Sequence, residues 1–358
     1  MVKLSANRGR VINMGKRAAL IRGDGVGPEL AEAVMMIHEA VGSEVEIIPV
    51  EAGYEWWLKH GGDSLIPRET WEVLEQSDAV LKCPTTTPPE IKHLRSVAVS
   101  IRQRFDLYAN IRPIKTLGGI KGRLGPVDLI CVREATEGLY AGIDVRLSPD
   151  VAIAIRKISK RQSLRVARKA FEIARENGWN KIVVVTKRNI LKETDGLFIE
   201  AVQEVAKDYP EITWEEYFID NLAQQLVKNH ERFNQTVILG TNLFMDIISE
   251  EASALVASIG IVYSANMGDS YAMFEPAHGS APKYKGQYKV NPTATILSYA
   301  WMIGYLGEKE KMNIIFRATE DVIAEGRHIT YDLGGNASTL EMTEAIAGRI
   351  KTLLEKGY

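Results

Sequence analysis

A chain of 358 residues, 46% hydrophobic and 25% charged, can bury one large core or two ordinary domains, which excludes a disordered chain. Its 44 basic and 46 acidic residues leave a formal charge of −2, which excludes a general pull toward nucleic acid or anionic membrane and makes any anion site local. Cys83 and Cys131 are the only cysteines, the opening MVKLSANRGRVINMGKR lacks a signal-peptide core, and Ala294 to Leu306 is too short to span a bilayer, so a reduced, cytoplasmic setting is expected.

Short apolar runs alternate with longer amphipathic ones, the pattern of a mostly parallel α/β fold. In chain order, strands are predicted at Ala18 to Arg22, Glu44 to Val50, Ala79 to Lys82, Asp128 to Arg133, Lys181 to Thr186, Thr213 to Ile219, Val237 to Leu239 and Gly260 to Tyr263. Pro28 to Val41 reads as a helix because Leu30, Val34, Ile37 and Val41 form one stripe, and Ser163 to Gly178 does so through Leu164, Ala167, Ala170 and Ile173. A last helix, Ala294 to Leu306, follows Asn291-Pro292, which fits a cap with proline at the first helical position. No Gly/Ser linker divides the chain, so a domain boundary is formed by packing.

Polar residues cluster at the carboxyl ends of the predicted strands, where open α/β sheets bind ligands: Arg133 with Glu134, Lys187 with Asn189, Asp220, and Asn242 leading to Asp246. Asp246 and Glu250, four apart, fall on one face of the first turn of a helix, either as dipole-capping acids or, with Asp220, as oxygen donors for Mg²⁺ or Mn²⁺. Arg102, Arg112 and Arg133 offer guanidinium forks suited to carboxylates. Tyr140 and Lys187 form a candidate acid/base pair, which a nearby cation and arginines would favour in its deprotonated forms. Phe274 to Ala294, FEPAHGSAPKYKGQYKVNPTA, is punctuated by Pro276, Pro282 and Gly286, so amides around His278, Gly279 and Ser280 can face a phosphorylated nucleotide.

These residues sit in GDGVGPE (23–29), DLYANIRP (106–113), VREATEGLYAGI (132–143), KRNILKETDGLF (187–198), NLFMDIISEEAS (242–253), SANMGD (264–269), EPAHGSAP and NPTATILS. In that order they resemble the metal-dependent β-decarboxylating dehydrogenases, the family of isocitrate, homoisocitrate, 3-isopropylmalate and tartrate dehydrogenases, almost from end to end. The resemblance implies a two-domain α/β fold that is not an ordinary Rossmann domain. GDGVGP is accordingly not the G-x-G-x-x-G fingerprint. A large cofactor-binding domain is expected from about 1–107 plus 257–358, and a small one from 108–256, with a dimer-clasping arm at about 141–180.

By the same resemblance, Arg102, Arg112 and Arg133 clamp substrate carboxylates, Tyr140 and Lys187 transfer protons, and Asp246 and Glu250 bind the metal. Asp220 and Lys187 reach the site from a second subunit, so a homodimer with shared sites is implied. Cofactor contacts are expected from Thr87, Gln224, Gln225, His278, Gly279, Ser280, Ala281, Lys283, Tyr284, Asn291 and Tyr331. Lys283 and Tyr284, where an aspartate would argue for NAD, favour NADP, although Gly335 and Asn229 stand where NADP-type relatives can carry arginine. Ser96, in KHLRSVAVSIR, resembles the isocitrate type, with Ala98 in place of an asparagine; isocitrate is ranked before homoisocitrate and 3-isopropylmalate. Ala135, Thr186, Arg188, Met245 and Glu250 depart from the family pattern. A silent regulatory subunit is the alternative, opposed by the presence of Tyr140, Lys187, Asp220 and Asp246 together.

Overall fold

A computed structural model describes residues 15–357 except Lys121 and Arg123; the leading segment weighed as a signal peptide lies largely outside them. The strands are β1 (Arg17–Ile21), β2 (Glu46–Val50), β3 (Ala79–Lys82), β4 (Ala109–Lys115), β5 (Asp128–Glu134), β6 (Asp144–Ser148), β7 (Val151–Ala154), β8 (Lys181–Thr186), β9 (Thr213–Phe218), β10 (Thr236–Gly240), β11 (Tyr263–Met267) and β12 (Ala272–Pro276). The helices are α1 (Gly27–Val41), α2 (Tyr54–His60), α3 (Arg68–Gln76), α4 (Val97–Arg104), α5 (Lys160–Glu176), α6 (Lys192–Ala206), α7 (Ile219–Lys228), α8 (Asn242–Ser253), α9 (Thr293–Tyr305), α10 (Lys309–Glu325) and α11 (Thr339–Glu355).

Ten strands form one sheet in the order β2-β1-β3-β12-β11-β4-β5-β10-β8-β9. Its two outer parts are parallel, as the alternation of apolar and amphipathic segments predicts. The middle is not: β12–β11, β11–β4 and β4–β5 pair antiparallel. The strand expected at 260–263 is displaced, because residues 259–261 form a short 3₁₀ turn and the strand begins at Tyr263.

Alternation along each strand sorts the core. Ala19, Ile21 and Val80 pack under α3 and α4, while Ala18, Leu20, Leu81 and Phe274 pack beneath α1, α9, α10 and α11. In the other half Ile182, Val184 and Val237 meet α5 and α6, whereas Val183, Val185 and Ile238 meet α7 and α8. Hydrophobic burial on both faces explains why the outer strands read as continuous apolar runs. Cys83 and Cys131 are free and buried, and burial pushes each thiol up to about 12. Among the described residues no helix is long and apolar enough to cross a membrane.

Outside this sheet stands the β6–β7 hairpin, every residue of which is exposed. Val145 lies opposite Ile153, and Val145, Leu147, Val151 and Ile153 are each at least 43% exposed. A two-stranded ribbon with an apolar face in water is marginal by itself, and such a surface marks an interface. The segment 141–180, expected to contain an arm that clasps a partner, holds this hairpin and α5, the latter packed against the second half of the sheet by Val166, Ala170 and Phe171.

Candidate active site

The side-chain alternation of the central strands sends Lys82, Glu275, Asn266, Asn110, Arg112 and Arg133 to the same face of the sheet, as the registers Ser264↔Glu275, Asn266↔Asn110 and Asn110↔Arg133 require. There Lys82, Glu275, Arg112 and Arg133 line a pocket of about 340 Å³ with Ser96, Arg102, Tyr140, Asp246, Glu250, His278 and Gly279, while Asn110 and Asn266 are buried behind them. Helix α4 closes one side and α8 the other. The three predicted arginines, the tyrosine, Ser96, two predicted metal acids and the start of the nucleotide loop thus converge.

Helix α8 begins immediately after Thr241, so Asp246 lies in its second turn and Glu250 one turn further. That corrects the first-turn placement and removes the dipole-capping alternative; both carboxylates still share one face. Glu250 accepts from Arg112 at 2.5 Å, and Asp246 accepts from both Arg133 and Tyr140. Arg133 is oriented by Asn242 at 2.8 Å. The acids and arginines therefore neutralise each other in the resting pocket.

Burial raises the Tyr140 phenol, the Asp246 carboxylate beside it adds to the rise, and Arg133 only partly opposes them. In this state Tyr140 therefore holds its proton; the deprotonated form is expected only beside a bound cation and the arginines together. Met245 is fully buried against Gly240 and stays out of the pocket, so its departure from the family pattern leaves Asp246 in place. Ala135 is likewise buried, its amide bonded to the Tyr108 carbonyl at 2.8 Å.

Two participants escaped the sequence reading. Lys82 ends the buried strand AVLK and reads in the sequence only as a strand end, while Glu275, which reads as part of the loop from Phe274, lies inside β12, AMFEP. Glu275 bonds Lys82 at 2.9 Å, Arg102 at 3.1 Å and Asn266 at 2.8 Å. A charge ending an otherwise apolar strand was the available signal.

Lys187 and Asp220 are not in this pocket. They pair with each other at 2.6 Å at the far end of β8, where Gln224 and Gln225 also lie on α7, and Gln225 accepts from Asn229 at 2.8 Å. Among the described residues no group of three or more His, Cys, Asp or Glu assembles. One chain therefore offers Asp246 and Glu250, hard oxygen donors that suit a divalent cation and leave positions for substrate, water or a further donor.

The loop expected to meet a nucleotide is held from below by GDGVGPE. Asp24, 2% exposed, accepts three backbone amides, from Tyr54, Glu55 and Thr86, at 2.6–2.9 Å. Glu29 accepts from the amides of Gly286 and Tyr288, and Glu55 from Gly25 and Lys285. The acids of this motif are thus scaffold for the loop. Gly25 has φ +58°, and a Cβ there would meet the Ser280 carbonyl oxygen at 2.1 Å. Gly25→Ala is expected to cost about 1–3 kcal/mol through strain and clash, read as a lower thermal midpoint; an unchanged midpoint would show the loop free to yield.

His278 carries a buried Nε2 with no partner among the described residues, which fits a ligand atom completing it; burial lowers its pKa, so the ring is neutral. Ser280 bonds Thr86 at 2.6 Å, while Thr85 lines the pocket and Thr87 is exposed. Ala281 takes the left-handed φ of 39°. Asn291 spends its side chain on the Thr293 amide and on Asp332, each at 3.0 Å. Lys283 lies 5.0 Å from the Tyr284 ring, and Lys289, which the sequence reading passed over, lies 5.0 Å from the Tyr331 ring. Two ammonium groups and two phenols therefore gather where a phosphate was expected.

A family profile described as isocitrate/isopropylmalate dehydrogenase matches residues 17–346. The homoisocitrate dehydrogenase of Methanocaldococcus jannaschii is 40% identical over 355 residues, covering 96% of this chain and 99% of that protein. The isocitrate/homoisocitrate dehydrogenase of Thermus thermophilus is 42% identical over 341 residues, covering 95% and 100%. Among solved structures, isocitrate dehydrogenase from Methylococcus capsulatus superposes with a TM-score of 0.89 at 37% identity, covering 94% of this chain and 99% of that one.

Proposed function

Because the chain belongs to the isocitrate/isopropylmalate dehydrogenase family of decarboxylating dehydrogenases, we propose that it oxidises and decarboxylates a 2-hydroxy tricarboxylic acid, with homoisocitrate first and isocitrate second. The relatives' names move homoisocitrate ahead of the order drawn from Ser96. One observation carries the preference for an acidic third arm. Ser96 precedes α4 at the pocket wall, its hydroxyl has no partner among the described residues, and α4 has no side-chain cap. A helix start with unpaired amides favours a carboxylate over an isopropyl group.

Substrate carboxylates would take the guanidiniums of Arg102, Arg112 and Arg133, freeing Glu250 and Asp246 from their present partners. Held by those two acids, with Asp220 from a second copy, Mg²⁺ or Mn²⁺ would supply Lewis-acid chemistry, and NADP would accept the hydride. Lys187 of the second copy takes the hydroxyl proton. Tyr140, which keeps its proton in the resting pocket, gives one to the carbon left by CO₂. Lys283, Lys289, Tyr284 and Tyr331 support NADP through a 2′-phosphate. A homodimer is supported by the exposed apolar hairpin and by Phe218, Val227 and Ile247, all at least 38% exposed around α7 and α8.

With Mn²⁺, kcat/KM for homoisocitrate and isocitrate is expected to exceed that for 3-isopropylmalate by about 10²-fold or more, since a polar arm site rejects an apolar one. NADP is expected to be used better than NAD. Preferential turnover of 3-isopropylmalate would refute the acidic-arm reading, and no metal-dependent reduction with any of the three would refute the reaction.

A further inference from the structure

The exposed hairpin and the loops bearing Lys187 and Tyr140 meet at one place. Two residues beyond β7, Arg156 bonds one oxygen of Asp195 at 2.6 Å, and the other oxygen of that carboxylate accepts the backbone amide of Lys187, also at 2.6 Å. Asp195 is completely buried. Arg156 also donates to Thr241 at 2.9 Å, the residue before the helix that carries Asp246 and Glu250, and its guanidinium lies 5.1 Å from the Phe244 ring. The next residue, Lys157, pairs with Glu137 at 3.3 Å. Its backbone exchanges hydrogen bonds with Gly138 at 2.8 and 3.3 Å, and Glu137 also accepts the Ser159 amide at 2.7 Å. Glu137 and Gly138 lead into the short 3₁₀ turn Leu139–Ala141, which carries Tyr140.

Consecutive residues at the hairpin base are therefore tied to two different loops, each carrying one proton-transfer group. A buried ion pair is a poor device for stability alone, because its desolvation offsets much of its attraction; what it supplies is a fixed geometry. We propose that Arg156 and Lys157 are positioning residues that couple the seating of the hairpin on a second copy of this chain to the placement of Lys187 and Tyr140, so that assembly completes the acid/base machinery. The proposal rests on the function assigned above. It concerns residues outside the pocket itself.

Hydrogen exchange on the free protein tests it without turnover. In Arg156→Gln, amides of residues 187–191 are expected to exchange at least about tenfold faster, and in Lys157→Gln those of 136–140, with β1 and α1 unchanged. Kinetically, Arg156→Gln is expected to lower kcat by about 10²-fold with KM for the acid within about threefold, because misplacement of a reacting group acts on the chemical step. Arg156→Lys, which keeps one charged bond, should recover part of both effects and keeps the test open if the glutamine variant does not fold. Val145→Asp, on the apolar face of the hairpin, should yield a monomer by light scattering in which both loops exchange faster.

Unchanged exchange in the Arg156 and Lys157 variants overturns the proposal. So do uniform destabilisation with no rescue by lysine, a Val145→Asp protein that stays dimeric, or a monomer whose loops remain protected. A wild-type protein inactive on all three acids would refute the reaction while leaving the exchange result to decide the coupling.

Discussion

Tyr140→Phe and Lys187→Met are each expected to lose activity by about 10²–10⁴-fold, the loss typical of groups that transfer protons, yet an equimolar mixture of the two, dissociated and reassembled, is expected to regain a substantial fraction of it. A site shared between two copies, as proposed, produces this result. Tyr140 lines the pocket with Asp246 and Glu250, whereas Lys187 is bonded to Asp220 in another part of the chain. If each site takes its lysine from a second copy, a mixed dimer contains one site with both defects and one with none. Random pairing makes half of the dimers mixed, so about one quarter of all sites are intact. Steady-state rates before and after reassembly measure this directly. No recovery, with mixed dimers confirmed by mass, would place both groups in one chain's site and refute the shared arrangement.

Glu275→Gln is expected to destabilise the protein by about 3–5 kcal/mol, the cost of removing one member of a buried charge network. The substitution preserves shape but leaves Lys82 and Arg102 as neighbouring buried cations with no anion between them. Burial alone would raise the Glu275 carboxyl, but Lys82 and Arg102 overcome it and hold the group at about 2, from an ordinary 4.5. A carboxyl depressed on folding contributes stability that is present above pH 4.5 and lost as the pH falls toward 2. Denaturant melts should therefore show the gap between wild type and Glu275→Gln narrowing from pH 6 to pH 3. Lys82→Met combined with Glu275→Gln should recover part of the loss. A Glu275→Gln protein as stable as wild type at pH 7 would show that the network carries no such weight.

The outer strands were legible because they are buried on both faces and bounded by turns, and the Lys181 to Thr186 strand matches to the residue. Of the antiparallel centre only β5 was legible in full. Strand β4 carries Arg112 and Pro113 within ANIRPIK, and β12 carries Glu275 and a terminal proline, so the polar residues that build the pocket disguised the strands that hold them. The hairpin hid for a related reason: its apolar face has no partner among the described residues, so no local pattern tied it to a core. Arginines, tyrosine and paired acids could be named from motifs, whereas the proton on Tyr140 depends on its burial and its contact with Asp246, which no spacing conveys.

The pairs Arg112–Glu250 and Arg133–Asp246 have a thermodynamic corollary for a pocket used as proposed. A cation arriving alone would strip two guanidiniums of their anions, and an acid arriving alone would leave two carboxylates bare. Each arrival repairs the deficit left by the other, so the two bindings share one coupling free energy and each must tighten the other by the same factor. The resting ion pairs act as a lock that opens only to two keys.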